Sequence, residues 1–140
     1  MNNSKIEEPD EKKFLVVDDC PINRLMVGRT LEMMDFNIDR ILNADNGQRA
    51  IDLLSQHKVH LIVLDMFMPG LNGYEVLAAL QERADWSNIP VLVVTAESHE
   101  ECIEKLGEVA AGFVHKPFTA EELREEVMRI VTKETNLINT

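Results

Sequence analysis

Cysteine is scarce in this chain. Cys20 and Cys102 form no CxxC pair and are too few for a disulfide framework, so both read as free thiols of a reducing compartment, without a functional role. Positive charge is scarce too. Fourteen Lys and Arg stand against 25 Asp and Glu, for a net charge of −11, and no basic cluster with interleaved aromatics offsets it. That composition argues against direct binding to nucleic-acid phosphates and favours a partner with a basic or apolar surface. Long hydrophobic runs are missing: "FLVV", "LIVL" and "VLVV" fall far short of the ~20 residues of a membrane span, and no signal sequence precedes them. The expectation is a soluble, cytoplasmic protein with no membrane partner. No repeat, linker or low-complexity tract divides the chain. Its 140 residues fit one domain over 13–132, with a polar, aperiodic leader over 1–12 and a short tail over 133–140.

What the chain does have is three short, continuous apolar runs: "FLVV" ending at Asp18, "VHLIVL" ending at Asp65, and "IPVLVV" ending at Thr95. Their length and unbroken Val, Ile and Leu content suit strands of a parallel sheet buried on both faces. "NIDRIL" and "GFVHK" read as weaker strands. Between them lie helical patterns. Met26, Val27, Leu31 and Met34 share a face after Pro21, which suits a first helical position, and Ala50, Leu53 and Leu54 do the same after "ADNGQ". "SHEE" and "TAEE" fit the capping-box spacing, with Ser98 and Thr119 as caps for Glu101 and Glu122. Leu123, Val127, Ile130 and Val131 form the stripe of the last helix. Strand then helix, about five times over, is the alternation of an open, doubly wound α/β sheet.

Ligands of such sheets bind outside the carboxyl ends of the strands. Here those ends carry Asp18, Asp19, Asp65, Thr95 and Lys116. Adjacent anions repel and raise each other's pKa unless a cation shares the space. Mg²⁺ favours oxygen ligands, commonly one or two carboxylates completed by water, carbonyl and phosphate oxygens, and would bring a phosphoryl donor against a nucleophile. One of the acids can itself be that nucleophile, giving an aspartyl phosphate. Lys116 would then offer a point charge, and the Thr95 hydroxyl a donor, to phosphoryl oxygens.

"VVDD", "LDMFMPGLNG", "VVTAE" and "KPF", in this order on these strand ends, together resemble the receiver domain of two-component response regulators over about Lys13 to Thr132. The resemblance implies a (βα)5 flavodoxin-like fold with a five-stranded parallel sheet in the order 2-1-3-4-5. It implies that Asp65 is the phosphoacceptor, with Asp19 a direct Mg²⁺ ligand, Asp18 acting largely through water, and the Phe67 main-chain carbonyl completing the protein's share of the metal shell; Mn²⁺ is an alternative ion. Lys116 would contact Asp65 and the phosphoryl group, with a cis peptide between Lys116 and Pro117. Thr95 and Phe113 would form the switch, and the surface of the fourth helix, fifth strand and fifth helix would respond. Phe113 lacks the hydroxyl of the tyrosine often found at this place, which leaves a packing switch. Phe67 and Glu97 occupy positions that tune the lifetime of the phosphoryl group, in opposing senses: a bulky ring hinders water and an acid orients it.

The implied function is a single-domain phosphoacceptor switch in two-component signalling or a phosphorelay. Its donor would be a phosphohistidine on a sensor kinase or phosphotransfer protein, its output a partner protein, and its only turnover self-phosphorylation and self-dephosphorylation, so not an enzyme in the usual sense. A Mg²⁺-dependent phosphatase of the haloacid dehalogenase type would need a second acid where Phe67 stands. A flavodoxin-like cofactor binder would need a phosphate loop where "DDCPINR" stands. A receiver-like interaction module that takes no phosphate is the remaining alternative, although no acid, hydroxyl or lysine of the set is missing. Taken singly, Asp18-Asp19 would be a helix cap, Lys116 a surface lysine and Phe113 plain core. His57, His60, His99 and His115 show no metal-ligand spacing and are expected to carry no function.

Overall fold

The computed structural model describes residues 12–34, 40–96 and 100–133. Within them five strands alternate with five helices: β1 (Lys13–Val17), α1 (Pro21–Glu32), β2 (Arg40–Ala44), α2 (Gly47–Gln56), β3 (Leu61–Asp65), α3 (Gly73–Gln81), β4 (Val91–Thr95), α4 (Glu100–Val109), β5 (Gly112–His115) and α5 (Ala120–Lys133). All pairings are parallel and the sheet order is β2-β1-β3-β4-β5. This is the expected doubly wound, flavodoxin-like fold.

The continuous apolar runs serve two cores, because successive strand side chains point to opposite faces. Leu15, Val17, Ile62, Leu64 and Val93 pack with Ala50, Leu53, Leu54, Val76, Leu77 and Leu80 of α2 and α3. Phe14, Val16, Leu61, Val63, Leu92 and Val94 pack with Val27 and Leu31 of α1 and Leu123, Val127, Ile130 and Val131 of α5. β1, β3 and β4 are buried at every residue, whereas β2 alternates exposed and buried positions after Ile41. That contrast explains the one displaced strand: "NIDRIL" anticipated β2, which runs from Arg40 to Ala44, in register with Lys13 to Val17. At an edge only part of a strand is covered, so no continuous apolar run marks it.

At the two ends of the described residues, Lys12 is buried and its carbonyl accepts from Arg40 N at 3.2 Å, and α5 runs through Lys133. The Thr119–Glu122 capping box forms, with Glu122 N donating to Thr119 Oγ1 at 3.1 Å and Thr119 N to Glu122 Oε1 at 2.8 Å. Ser98, the other anticipated cap, lies outside the described residues, as does His99. An unanticipated box closes α3: Glu75 N donates to Asn72 Oδ1 and Asn72 N to Glu75 Oε1.

Candidate functional site

The strand order reverses between β1 and its neighbours β2 and β3, opening a crevice at their carboxyl ends. Asp18 leaves β1 there while still tied to the sheet edge, its amide donating to Ala44 O at 3.1 Å. Its Oδ1 accepts from Cys20 N at 2.8 Å and its carbonyl from Arg24 Nη1 at 2.7 Å. These bonds fold the chain sharply into α1, which begins at Pro21 and has no side-chain cap from Cys20. Asp18 is buried and Asp19 exposed.

Asp65 ends β3 with only 2% of its surface exposed. Its Oδ1 lies 3.3 Å from Lys116 Nζ and 3.4 Å from Phe67 N. Oδ2 is buried and has no hydrogen-bond partner among the described residues. Burial first, and the Asp18 charge second, raise the Asp65 pKa above its ordinary value, against the pull of Lys116 and the Phe67 N–H. One carboxylate oxygen from each of Asp18, Asp19 and Asp65 lies within 4.8 Å of the others. Lys116 Nζ also stands 3.9 Å from Asp18 Oδ2.

Lys116 follows β5, and its amide donates to Thr95 O at 2.8 Å, which joins the ends of β4 and β5. The Lys116–Pro117 peptide is cis, as the resemblance implied. Thr95 is fully buried at the end of β4. Phe113 is half-buried in β5, packed against the core shared with α2 and α3. His115 is exposed on β5. Glu97 lies outside the described residues.

After β3, Met66 and Met68 are buried, Phe67 is exposed, and Gly70 takes φ 76°, a left-handed conformation suited to glycine. α3 then abuts the strand end: Gly73 N donates to Met66 O at 3.1 Å, and a Cβ on Gly73 would stand 2.6 Å from Met66 Cα and 2.8 Å from Asp65 O. The next residue, Tyr74, meets the Phe67 ring edge-on at 6.3 Å between centroids.

The structure thus brings Asp18, Asp19, Asp65 and Lys116 together, with Thr95 on the adjoining strand end. The donor set suits a hard divalent cation: three carboxylates, one holding a buried, unpartnered oxygen, face one lysine. Sequence reasoning missed Arg24, whose guanidinium reaches back to Asp18, and Tyr74. Each is visible only once α1 and α3 are placed on the strand ends.

The model of the family described as "Response regulator receiver domain" matches residues 14–128. The chain belongs to the response regulator receiver domain family. It is 30% identical over 135 residues to the two-component response regulator ORR3 of Oryza sativa, covering 95% of this chain and all of that one. It is 34% identical over 119 residues to the chemotaxis protein CheY of Pseudomonas aeruginosa, covering 84% and 94% of the two chains. Among solved structures, the chemotaxis protein CheY4 of Vibrio cholerae superposes on this receiver domain with a TM-score of 0.76 at 28% identity, covering 86% of this chain and 98% of that one. Among the described residues, no helix is long and apolar enough to cross a membrane.

Proposed function

We propose that this receiver domain is a phosphoacceptor switch in which Asp65 takes a phosphoryl group from a phosphohistidine. The observation that carries the reading is the buried Asp65 carboxylate, 3.3 Å from Lys116 Nζ at the edge of a three-carboxylate cluster. An Asp65 oxygen attacks phosphorus, a new O–P bond forms, and the N–P bond to the donor imidazole breaks with its electron pair returning to nitrogen. Lys116 holds Asp65 toward the incoming group and offsets its negative charge. The Thr95 hydroxyl donates to a phosphoryl oxygen. Asp18, Asp19, Asp65 and the Phe67 carbonyl would hold Mg²⁺, or Mn²⁺ in its place, which when bound neutralises charge on the phosphoryl oxygens.

Phosphorylation then draws Thr95 toward the site, Phe113 moves into the released space, and the surface of α4, β5 and α5 changes its affinity for a partner protein. The donor is a sensor histidine kinase or histidine phosphotransfer protein, the setting is the cytoplasm, and self-dephosphorylation is the only turnover. Intact-mass spectrometry tests this after incubation with acetyl phosphate, with and without Mg²⁺, on wild type and Asp65→Asn. The expected result is a Mg²⁺-dependent gain of one phosphoryl group that the variant lacks, together with a Mg²⁺-dependent rise in Tm from binding to the folded site. A wild type that gains no phosphoryl group from acetyl phosphate or from a phosphohistidine protein, and shows no Mg²⁺ shift, would make it a phosphate-independent interaction module.

A further inference from the structure

Phe67 and Tyr74 form an exposed aromatic pair beside the acceptor that the proposed phosphotransfer does not use. Phe67 follows Asp65 by two residues and its amide lies 3.4 Å from the Asp65 carboxylate, which sets its main chain beside the acidic cluster. Phe67 is 53% exposed. An apolar ring in that much contact with water, with rotation about two bonds, takes its orientation from whatever touches it. Tyr74 touches it, ring edge to ring face, at 6.3 Å and 66°. The Tyr74 backbone is itself firmly held. It sits between Gly73, pressed onto Met66 and Asp65, and Glu75, which closes the Asn72 capping box.

We infer that Tyr74 is a positioning residue that holds the Phe67 ring over the path of water to the phosphorylated Asp65, and so lengthens the life of the phosphorylated state. The inference rests on the reading of Asp65 as phosphoacceptor. In the reaction being restrained, water oxygen bonds to phosphorus, the bond from phosphorus to the Asp65 oxygen breaks with its electron pair left on the carboxylate, and both water protons leave on inorganic phosphate. Attack needs an approach opposite the Asp65 oxygen, so hydrolysis proceeds in the fraction of time the ring stands aside. Loss of an edge-to-face partner raises that fraction by the pair's coupling, about 2- to 10-fold.

The test is the first-order decay of the phosphorylated protein, loaded with acetyl phosphate and Mg²⁺, desalted, and followed by intact mass. Tyr74→Ala is expected to decay about 2- to 10-fold faster than wild type. Tyr74→Phe, which keeps the ring, should decay more slowly than Tyr74→Ala. Phe67→Ala should decay at least as fast as Tyr74→Ala, and adding Tyr74→Ala to Phe67→Ala should change nothing further. An unchanged decay in Tyr74→Ala, or an acceleration that persists in the Phe67→Ala background, would overturn the inference. The Mg²⁺-dependent rise in Tm should be the same in Tyr74→Ala and Tyr74→Phe as in wild type; its loss in Tyr74→Ala would assign any faster decay to a damaged site and equally overturn it. A wild type carrying no phosphoryl group at time zero would overturn the acceptor reading and the inference with it, an outcome distinct from a loaded protein whose decay ignores Tyr74.

Discussion

Replacing Gly73 and Gly107 by alanine makes the same chemical change in two helices and should move stability in opposite directions. At Gly73, the first residue of α3, the new Cβ would lie 2.6 Å from Met66 Cα, 2.7 Å from Met66 Sδ and 2.8 Å from Asp65 O. Two of these atoms are backbone at the end of β3, so no rotamer change relieves them, and non-bonded carbons want ~3.5–4.0 Å. The helix start must therefore back away by about an ångström from the strand it is bonded to. Overpacking of this kind costs about 1–3 kcal/mol, with the upper half expected where backbone must move. The helical advantage of alanine over glycine, about 1 kcal/mol in a helix interior, is smaller at a first position. A net loss of about 2 kcal/mol corresponds to a fall in Tm of roughly 6 °C for a domain of this size.

Gly107 lies within α4 with nothing within 4 Å of a Cβ, so its alanine variant should gain about 0.5–1 kcal/mol. Urea unfolding of both variants at pH 7 reads the difference as opposite shifts of the midpoint at constant m-value. The three atoms pressed at Gly73 belong to Met66 and Asp65, so under the proposed phosphotransfer that variant should also take up phosphoryl groups more slowly, while Gly107→Ala should not. A Gly73→Ala protein as stable as wild type would refute the claim that α3 is in rigid contact with the end of β3.

Asp65→Asn should stabilise the metal-free protein at pH 7. The raised Asp65 pKa means that the folded chain holds this proton to higher pH than the unfolded one, so its contribution is full below the ordinary carboxylate value of 3.8 and is lost as pH rises through the raised value. The stability gap between variant and wild type should accordingly narrow as pH is lowered, and a constant gap would show that packing and not charge is responsible. Histidine gives the opposite slope at the other end of the sheet. His60 Nδ1 accepts from Lys13 N at 3.2 Å, and burial, then Lys12 and Lys58, hold its pKa below 6.5. The unfolded chain therefore binds more protons below pH 6.5, and stability, full above that pH, should fall as pH drops toward the folded value. Asn at position 60 keeps an acceptor without titrating, so urea midpoints of His60→Asn between pH 7.5 and 5.5 should lose that slope.

The residues at the carboxyl ends of the strands were legible because each sits directly after its own apolar run, and a parallel sheet brings the ends of β1, β3, β4 and β5 to one edge whatever the helices do. The opposite pole was not. Lys13 read only as the first residue of the domain, yet its side chain is 1% exposed and its Nζ lies 3.1 Å from His57 Nδ1. His57 and His60 read as functionless, and they are structural: both accept or share bonds with a residue more than 40 positions away. No local pattern encodes a pairing of that span. The Asn72 cap had a visible signature, since "NGYE" carries the cap and glutamate at the right spacing. It was hidden because "MPGLNG" reads first as part of the motif that follows Asp65.

The same topology that gathers the site also destabilises it. Strand order places the ends of β1 and β3 side by side, and with them three carboxylates against one lysine. Packed cores on both faces fix those ends, so the acids have no freedom to separate. Asp65 meets the conflict most sharply, buried with one oxygen on Lys116 and the Phe67 amide and the other unpartnered among the described residues. Removing its charge leaves Lys116 balanced against Asp18 and Asp19, and a bound divalent cation would relieve all three acids. If both changes raise stability, and the Asp65→Asn protein gains less from Mg²⁺ than wild type does, the two act on one repulsion. Equal gains from Mg²⁺ in the two proteins would place the ion elsewhere.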